Sequence, residues 1–161
     1  MIYLDHASTS PPDPEVIEEV ARAMAQFFGN PASAHRLGYE AEKAGQGSLM
    51  TLGRLLGADP ERLVVTSGGT ESTNLALKGF FEANPRSPRR IVTSALEHAS
   101  THEVCNALAA RGIDVVRVGS DRNGAPSLEE LDGALSRGPG LISLIHVNNE
   151  TGAVLDMAEL V

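Results

Sequence analysis

TSGGTESTNLALKG, residues 66–79, follows the apolar run Leu63-Val64-Val65. Its first half, from Thr66 to Ser72, carries two glycines, four hydroxyl side chains and the acid Glu71. Its second half sets Leu75, Leu77, Phe80 and Phe81 in a helical rhythm. The stretch reads as a strand turning into a helix through a hydroxyl-rich junction. A helix start leaves backbone N–H groups unpaired and carries partial positive charge. Glycines let an anion approach that backbone, and hydroxyls add donors, so Ser67-Gly68-Gly69-Thr70 is a candidate phosphate cradle. A plainer reading stays open beside it: Thr70 caps the helix and the glycines make a tight turn. The junction is neither a P-loop, whose G-x-x-x-x-G-K-[ST] spacing and lysine are missing, nor a G-x-G-x-x-G dinucleotide fingerprint.

Working outward, strands and helices alternate. Strands are expected over 63–66, 90–94, 114–118 and 141–147, and helices over 70–83, 99–111 and 128–137. Upstream, Asp13 and Pro14 open a helix to about residue 28, with Asp13 as N-cap and Pro14 in the first position. Its apolar face holds Val16, Ile17, Val20, Met24, Phe27 and Phe28. A longer helix is expected over 33–56, weakened by Gly38, Gly45, Gly47 and Gly53 and ended by Gly57. The alternation predicts an α/β fold, a mainly parallel sheet with helices on both faces, built from right-handed βαβ units. The nearly all-apolar LISLIHV, residues 141–147, suits a strand covered on both faces.

The 161 residues have the size of one ordinary domain and are 42% hydrophobic, with net charge −8. An acidic chain with no tryptophan and 4% aromatics makes nucleic acid and anionic membranes poor partners. No apolar run reaches membrane-spanning length, and the N-terminus MIYLDHASTS lacks the basic region of a signal peptide. One cysteine, Cys105, excludes an intrachain disulfide and fits a reducing cytoplasm. No metal site is expected.

Two further strand ends carry polar residues. Glu97 and His98 follow residues 91–94, and Asn148, Asn149 and Glu150 follow residues 141–147. In a parallel sheet they share the carboxyl edge with the junction at 66–72, where ligands bind in open α/β folds. An imidazole at His98 can stack on a planar ring, and an amide at Asn149 can donate to a ring oxygen. Taken singly, His98 is a helix-entry cap and the asparagines form a turn; their convergence on one edge raises the functional reading.

The motifs YLDHASTSPPDPEV (3–16), FGNPASAHRLG (28–38), LLGADPERLVVTSGGTESTNLALKG (55–79), IVTSALEHA (91–99) and VNNETGAV (147–154) resemble, in order and spacing, the N-terminal part of a cysteine desulfurase. That is a pyridoxal-phosphate (PLP) enzyme of the class V aminotransferase type, with the fold type I large domain. The resemblance covers essentially the whole chain. It implies that Gly69 and Thr70 bind the cofactor phosphate, that His98 stacks on the pyridine ring and is a proton-transfer candidate, and that Asn149 bonds the phenolic oxygen. Ala7, Ser8 and Asn30 would line the substrate side, His35 would lie near the entrance and dimer contacts, and Glu71 would orient the phosphate loop. The implied reaction takes sulfur from L-cysteine, leaving alanine and an enzyme persulfide. The sulfur would pass to an acceptor protein for iron–sulfur cluster assembly or tRNA thiolation, and the enzyme would be a homodimer.

The family's Schiff-base lysine, its acid for the pyridine nitrogen and its nucleophilic cysteine fall beyond residue 161. The chain is therefore expected to be one truncated partial domain, a segment of about 1–30 and then an incomplete PLP-binding domain. Lys43 and Lys78 lie in expected helices outside the family's Ser-x-His-Lys context, and Cys105 lies mid-helix as a structural residue. Ser48-Leu49 stands where the family usually has Ala-Arg. Apolar surface is expected to be exposed where missing parts dock. Alternatives are a selenocysteine lyase or another class V enzyme, and a non-catalytic protein that binds PLP or another phosphate ligand.

Overall fold

The computed structural model describes residues 2–160, without the side chains of residues 159 and 160. Contacts divide the chain into two compact units, residues 1–65 and 66–161.

The first unit is helical. Helix α1 spans Pro14–Gln26, and the Asp13 carboxylate accepts the Glu15 N–H at 2.9 Å, the cap expected from the sequence. Helix α2 spans Arg36–Leu56 and starts after His35, whose Nδ1 accepts the Gly38 N–H at 3.2 Å. It begins three residues later than expected because Asn30 claims the preceding backbone. The Asn30 side chain accepts from Ala32 N–H and its carbonyl from Ser33 N–H, both at 2.9 Å. Gly57 ends α2 at φ 63°, a left-handed position that favours glycine. Gly38 is buried, and a Cβ there would meet the Asn30 carbonyl oxygen at 2.7 Å. The apolar face of α1 is uncovered: Val20 is 53% and Met24 73% exposed.

One expected strand does not form. Residues 63–66 follow a short 3-10 turn, Pro60–Arg62, and leave it extended at Leu63. They pair with no strand among the described residues, and Val64 and Val65 stay exposed. Apolar, β-branched residues give a segment its propensity, but a strand exists only through a hydrogen-bonded neighbour.

The second unit carries helices α3 (Gly69–Ala83), α4 (Ala99–Ala109) and α5 (Leu128–Leu135), and strands β1 (Arg90–Ser94), β2 (Asp114–Val118) and β3 (Leu141–Ser143). The sheet order is β2-β1-β3 and both pairings are parallel. In β1, alternate residues serve opposite layers. Ile91 packs with Leu77 and Phe81 of α3 and Val104, Cys105 and Leu108 of α4. Val92 packs with Val118 and with Leu131 and Ala134 of α5. Helices therefore cover both faces, as the apolar runs imply.

Strand β3 is shorter than the expected 141–147. The Ile145 N–H turns away from the ladder to the Glu97 carboxylate at 2.8 Å. Beyond it the chain doubles back: Val147 bridges Val154, and Leu155 N–H donates to the His146 carbonyl at 2.8 Å.

Within β1 the Thr93 hydroxyl is fully buried without a hydrogen-bond partner. Such a group costs about 1–3 kcal/mol. Thr93→Val keeps the shape and removes the orphan, so urea unfolding is expected at a higher midpoint with an unchanged m-value. A lower midpoint would show that the hydroxyl has a partner.

Candidate functional site

The hydroxyls of residues 66–72 divide their work. Thr66 and Ser72 pair with each other at 2.6 Å. Ser67 gives both its N–H and its hydroxyl to the Glu71 carboxylate, each at 2.6 Å. Two strong donors hold Glu71 below the usual carboxylate range, the Ser67 hydroxyl contributing most. The Thr70 hydroxyl has no protein partner among the described residues. The N-cap of α3 is Gly68, in extended, non-helical backbone, and no side chain caps the helix. The plainer reading of Thr70 as the cap is thereby corrected: the cap position falls on Gly68, and Thr70 is the second residue of the helix itself. A Cβ at Gly68 or Gly69 would meet no protein atom within 4 Å. The first N–H groups of α3 are open to an anion.

His98 does what a helix-entry residue does: it is the N-cap of α4, with Nδ1 accepting the Ser100 N–H at 3.1 Å and lying 2.8 Å from the Ser100 hydroxyl. With Nδ1 occupied as an acceptor, the neutral ring carries its proton on Nε2. The cap does not consume the ring. His98 remains exposed at the mouth of a cleft of about 700 Å³, lined by Gly69, Thr70, Glu97, Ser143 and Ile145 among others. The N-termini of α3 and α4 meet there, so two positive helix ends face one cavity in a chain of net charge −8.

A smaller recess, about 150 Å³, joins His98 to Asn149. The two asparagines differ sharply. Asn148 is buried: Nδ2 donates to the Leu96 carbonyl at 2.8 Å, and Oδ1 accepts the Glu150 and Thr151 N–H groups at 2.9 Å each. Asn149 is exposed. The structure thus brings Gly69, Thr70 and His98 to one cleft, with Asn149 beside His98. Ala7, Ser8 and Asn30 belong to the first unit, where the Ser8 hydroxyl donates to Asp5 at 2.7 Å. Sequence reasoning gave Glu97 and Asn148 no role of their own, yet they tie the two loops together. The only signal was the Glu-His and Asn-Asn doublets after two strands, which do not say which member turns inward.

Cys105 is fully buried in α4, and burial pushes its thiol up from the ordinary value. Lys78 gives its ammonium to Asn74 Oδ1 at 2.6 Å on α3. No cluster able to hold a metal occurs among the described residues, and no helix there is long and apolar enough to cross a membrane.

A parallel α/β layer with an anion cradle and an exposed imidazole at its carboxyl edge is the class of site seen here. Residues 2–161 match the family described as aminotransferase class-V. The chain belongs to that family. It is 41% identical over 162 aligned positions to the cysteine desulfurase IscS of Escherichia coli O139:H28, covering 99% of this chain and 40% of that one. Among solved structures, DndA from Streptomyces lividans superposes with a TM-score of 0.82 at 38% identity, covering 99% of this chain and 45% of the other. SspA in complex with cysteine superposes at 0.82 and 31% identity, covering 94% and 44%. The fold is that of cysteine desulfurases, and the chain spans about 40% of the length of the curated relatives it matches.

Two outcomes test the local chemistry. Glu71 has a depressed folded pKa, so it stabilises the junction above the ordinary glutamate value of about 4.3 and loses that effect as pH falls through its lower folded value. The Ser67 amide resonance is expected to titrate below that ordinary value, and a midpoint above it would contradict the hydrogen-bonded pair. The Cys105 thiol is expected to react with iodoacetamide at pH 8 far more slowly in folded protein than in urea.

Proposed function

We propose that this chain supplies the cofactor-binding half of a PLP-dependent cysteine desulfurase. The supporting observation is the convergence of two uncovered features at one cleft: the open N-terminus of α3 at Gly69 and Thr70, and the His98 ring at the start of α4. PLP is a planar ring bearing a phosphate, and the site has the donors and the room for both. The fit rests on three observations: α3 has no side-chain cap, a Cβ at Gly69 would find only open space, and the Thr70 hydroxyl is unengaged. Gly69 and Thr70 would hold the phosphate, His98 would lie against the ring, and Asn149 would face a ring oxygen.

Bound PLP supplies an electron sink for chemistry at the α-carbon of an amino acid. The chain's own residues contribute the rest. The α3 N-terminus neutralises phosphate charge. The His98 Nδ1 lone pair is committed to the Ser100 N–H, so the neutral ring holds its proton on Nε2, the atom with which it can donate a hydrogen bond. The substrate in this reading is L-cysteine, in line with the names of the relatives and with the cysteine complex of SspA. Ala7, Ser8 and Asn30 would serve the substrate side. The sulfur acceptor, homodimeric assembly and a cytoplasmic setting complete the reading; the exposed stripe Val16, Ile17, Val20 and Met24 on α1 is apolar surface available for assembly.

Neither lysine, Lys43 or Lys78, is assigned as the cofactor anchor. Protein isolated from its source is expected to form alanine from L-cysteine in a PLP-dependent manner, and to release the persulfide sulfur as sulfide when dithiothreitol is added as reductant. The 161-residue chain mixed with PLP and borohydride is expected to give no stoichiometric adduct on either lysine. A cysteine-independent activity would overturn the substrate, and a specific adduct on Lys78 would overturn the division of labour.

A further inference from the structure

Glu97 lines the anion-facing cleft with Gly69 and Thr70, yet it is itself an anion. No salt bridge joins it among the described residues. A carboxylate there repels a phosphate, so the position calls for a separate reason. Its hydrogen bonds give one. Glu97 Oε1 accepts the Ser94 hydroxyl at 2.7 Å and the Ile145 N–H at 2.8 Å. Ser94 is the last residue of β1 and is fully buried. Ile145 lies two residues past β3, on the loop that leads to Asn149. One oxygen therefore clamps the ends of two adjacent parallel strands.

The clamp is doubled. Asn148 Nδ2 reaches back to the Leu96 carbonyl at 2.8 Å, while the Leu96 N–H donates to the Ser94 hydroxyl at 3.2 Å. On its other side, His98 is fixed by the Ser100 N–H. Residues 94–98 are thus pinned at every second residue or closer, and the two anchors that cross to the other loop come from residues 145 and 148.

We infer that Glu97 is a positioning residue, whose clamp on Ser94 and Ile145 sets the His98 ring and the Asn149 amide in register for one planar anionic ligand. This rests on the PLP reading above. The role belongs to the acceptor oxygen and not to the charge. A glutamine keeps an oxygen in the same place and removes the repulsion toward phosphate. An aspartate keeps the charge and is one methylene too short to reach both donors.

The test uses the whole chain, wild type and three variants, titrated with PLP and followed by absorbance and induced circular dichroism. Amide exchange at Ile145 is read without ligand. Glu97→Gln is expected to bind PLP as well as wild type or better, with Ile145 still protected. Glu97→Asp and Glu97→Ala are expected to weaken PLP binding by about tenfold, the low end of what loss of a supporting partner costs. Both should also lose the induced dichroism and deprotect the Ile145 amide. If Glu97→Ala fails to fold by far-ultraviolet dichroism, Glu97→Asp carries the comparison. Wild type and Glu97→Asp giving the same affinity and dichroism would overturn the positioning role alone. Glu97→Gln behaving like Glu97→Ala would overturn it in favour of a role for charge. Wild type giving no PLP signal would overturn the PLP reading, and this inference with it.

Discussion

The second unit depends on burying β1. Arg90–Ser94 is the central strand, paired in parallel on both edges and covered on both faces. Ile91 and Val92 are inaccessible because α3 and α4 close one side and α5 the other. Burying side chains of this size contributes about 1.5–3 kcal/mol each relative to leaving them exposed. That burial leaves the strand little freedom, so the loop after Ser94 leaves the sheet at a defined point. Glu97 and His98 inherit their positions from it. Without a rigid β1, the imidazole and the α3 N-terminus would have no common reference frame.

Electrostatics then selects what the edge can hold. The chain is acidic overall, but the cleft faces two helix N-termini and open backbone donors. Two acids beside it accept hydrogen bonds: Glu71 from Ser67, and Glu97 from Ser94 and Ile145. The two helix N-termini oppose the chain's net charge at this edge, while the Glu97 carboxylate lines the same cleft. Membership of the class-V aminotransferase family is in line with the PLP site proposed above.

Much of this was legible in the sequence because it is local. The caps at Asp13 and Gly57, the alternation of strand and helix and the glycine-rich junction are written in neighbouring residues. The parallel pairing followed from the alternation of strands with helix-length connections. The failures are non-local. Residues 63–66 have strand composition, but pairing needs a partner that the string does not name. Residues 145–147 look like more β3, but one carboxylate 48 positions away takes the Ile145 N–H. Thr70 is a good capping residue in the wrong register, because the glycine before the helix took the cap. Asn148 and Asn149 are identical in type and adjacent, and only the fold decides that the first is a buried tie and the second faces the recess.

The most direct measurement is a backbone amide NMR titration of this chain with PLP. The predicted result is a saturable shift confined to Gly69, Thr70 and Glu71 at the start of α3, with accompanying shifts at His98 and Asn149. Inorganic phosphate is predicted to move only the α3 amides. Shifts centred on α1 or α2, or none at Gly69 and Thr70 while PLP binds, would contradict the site assigned at the carboxyl edge of β1.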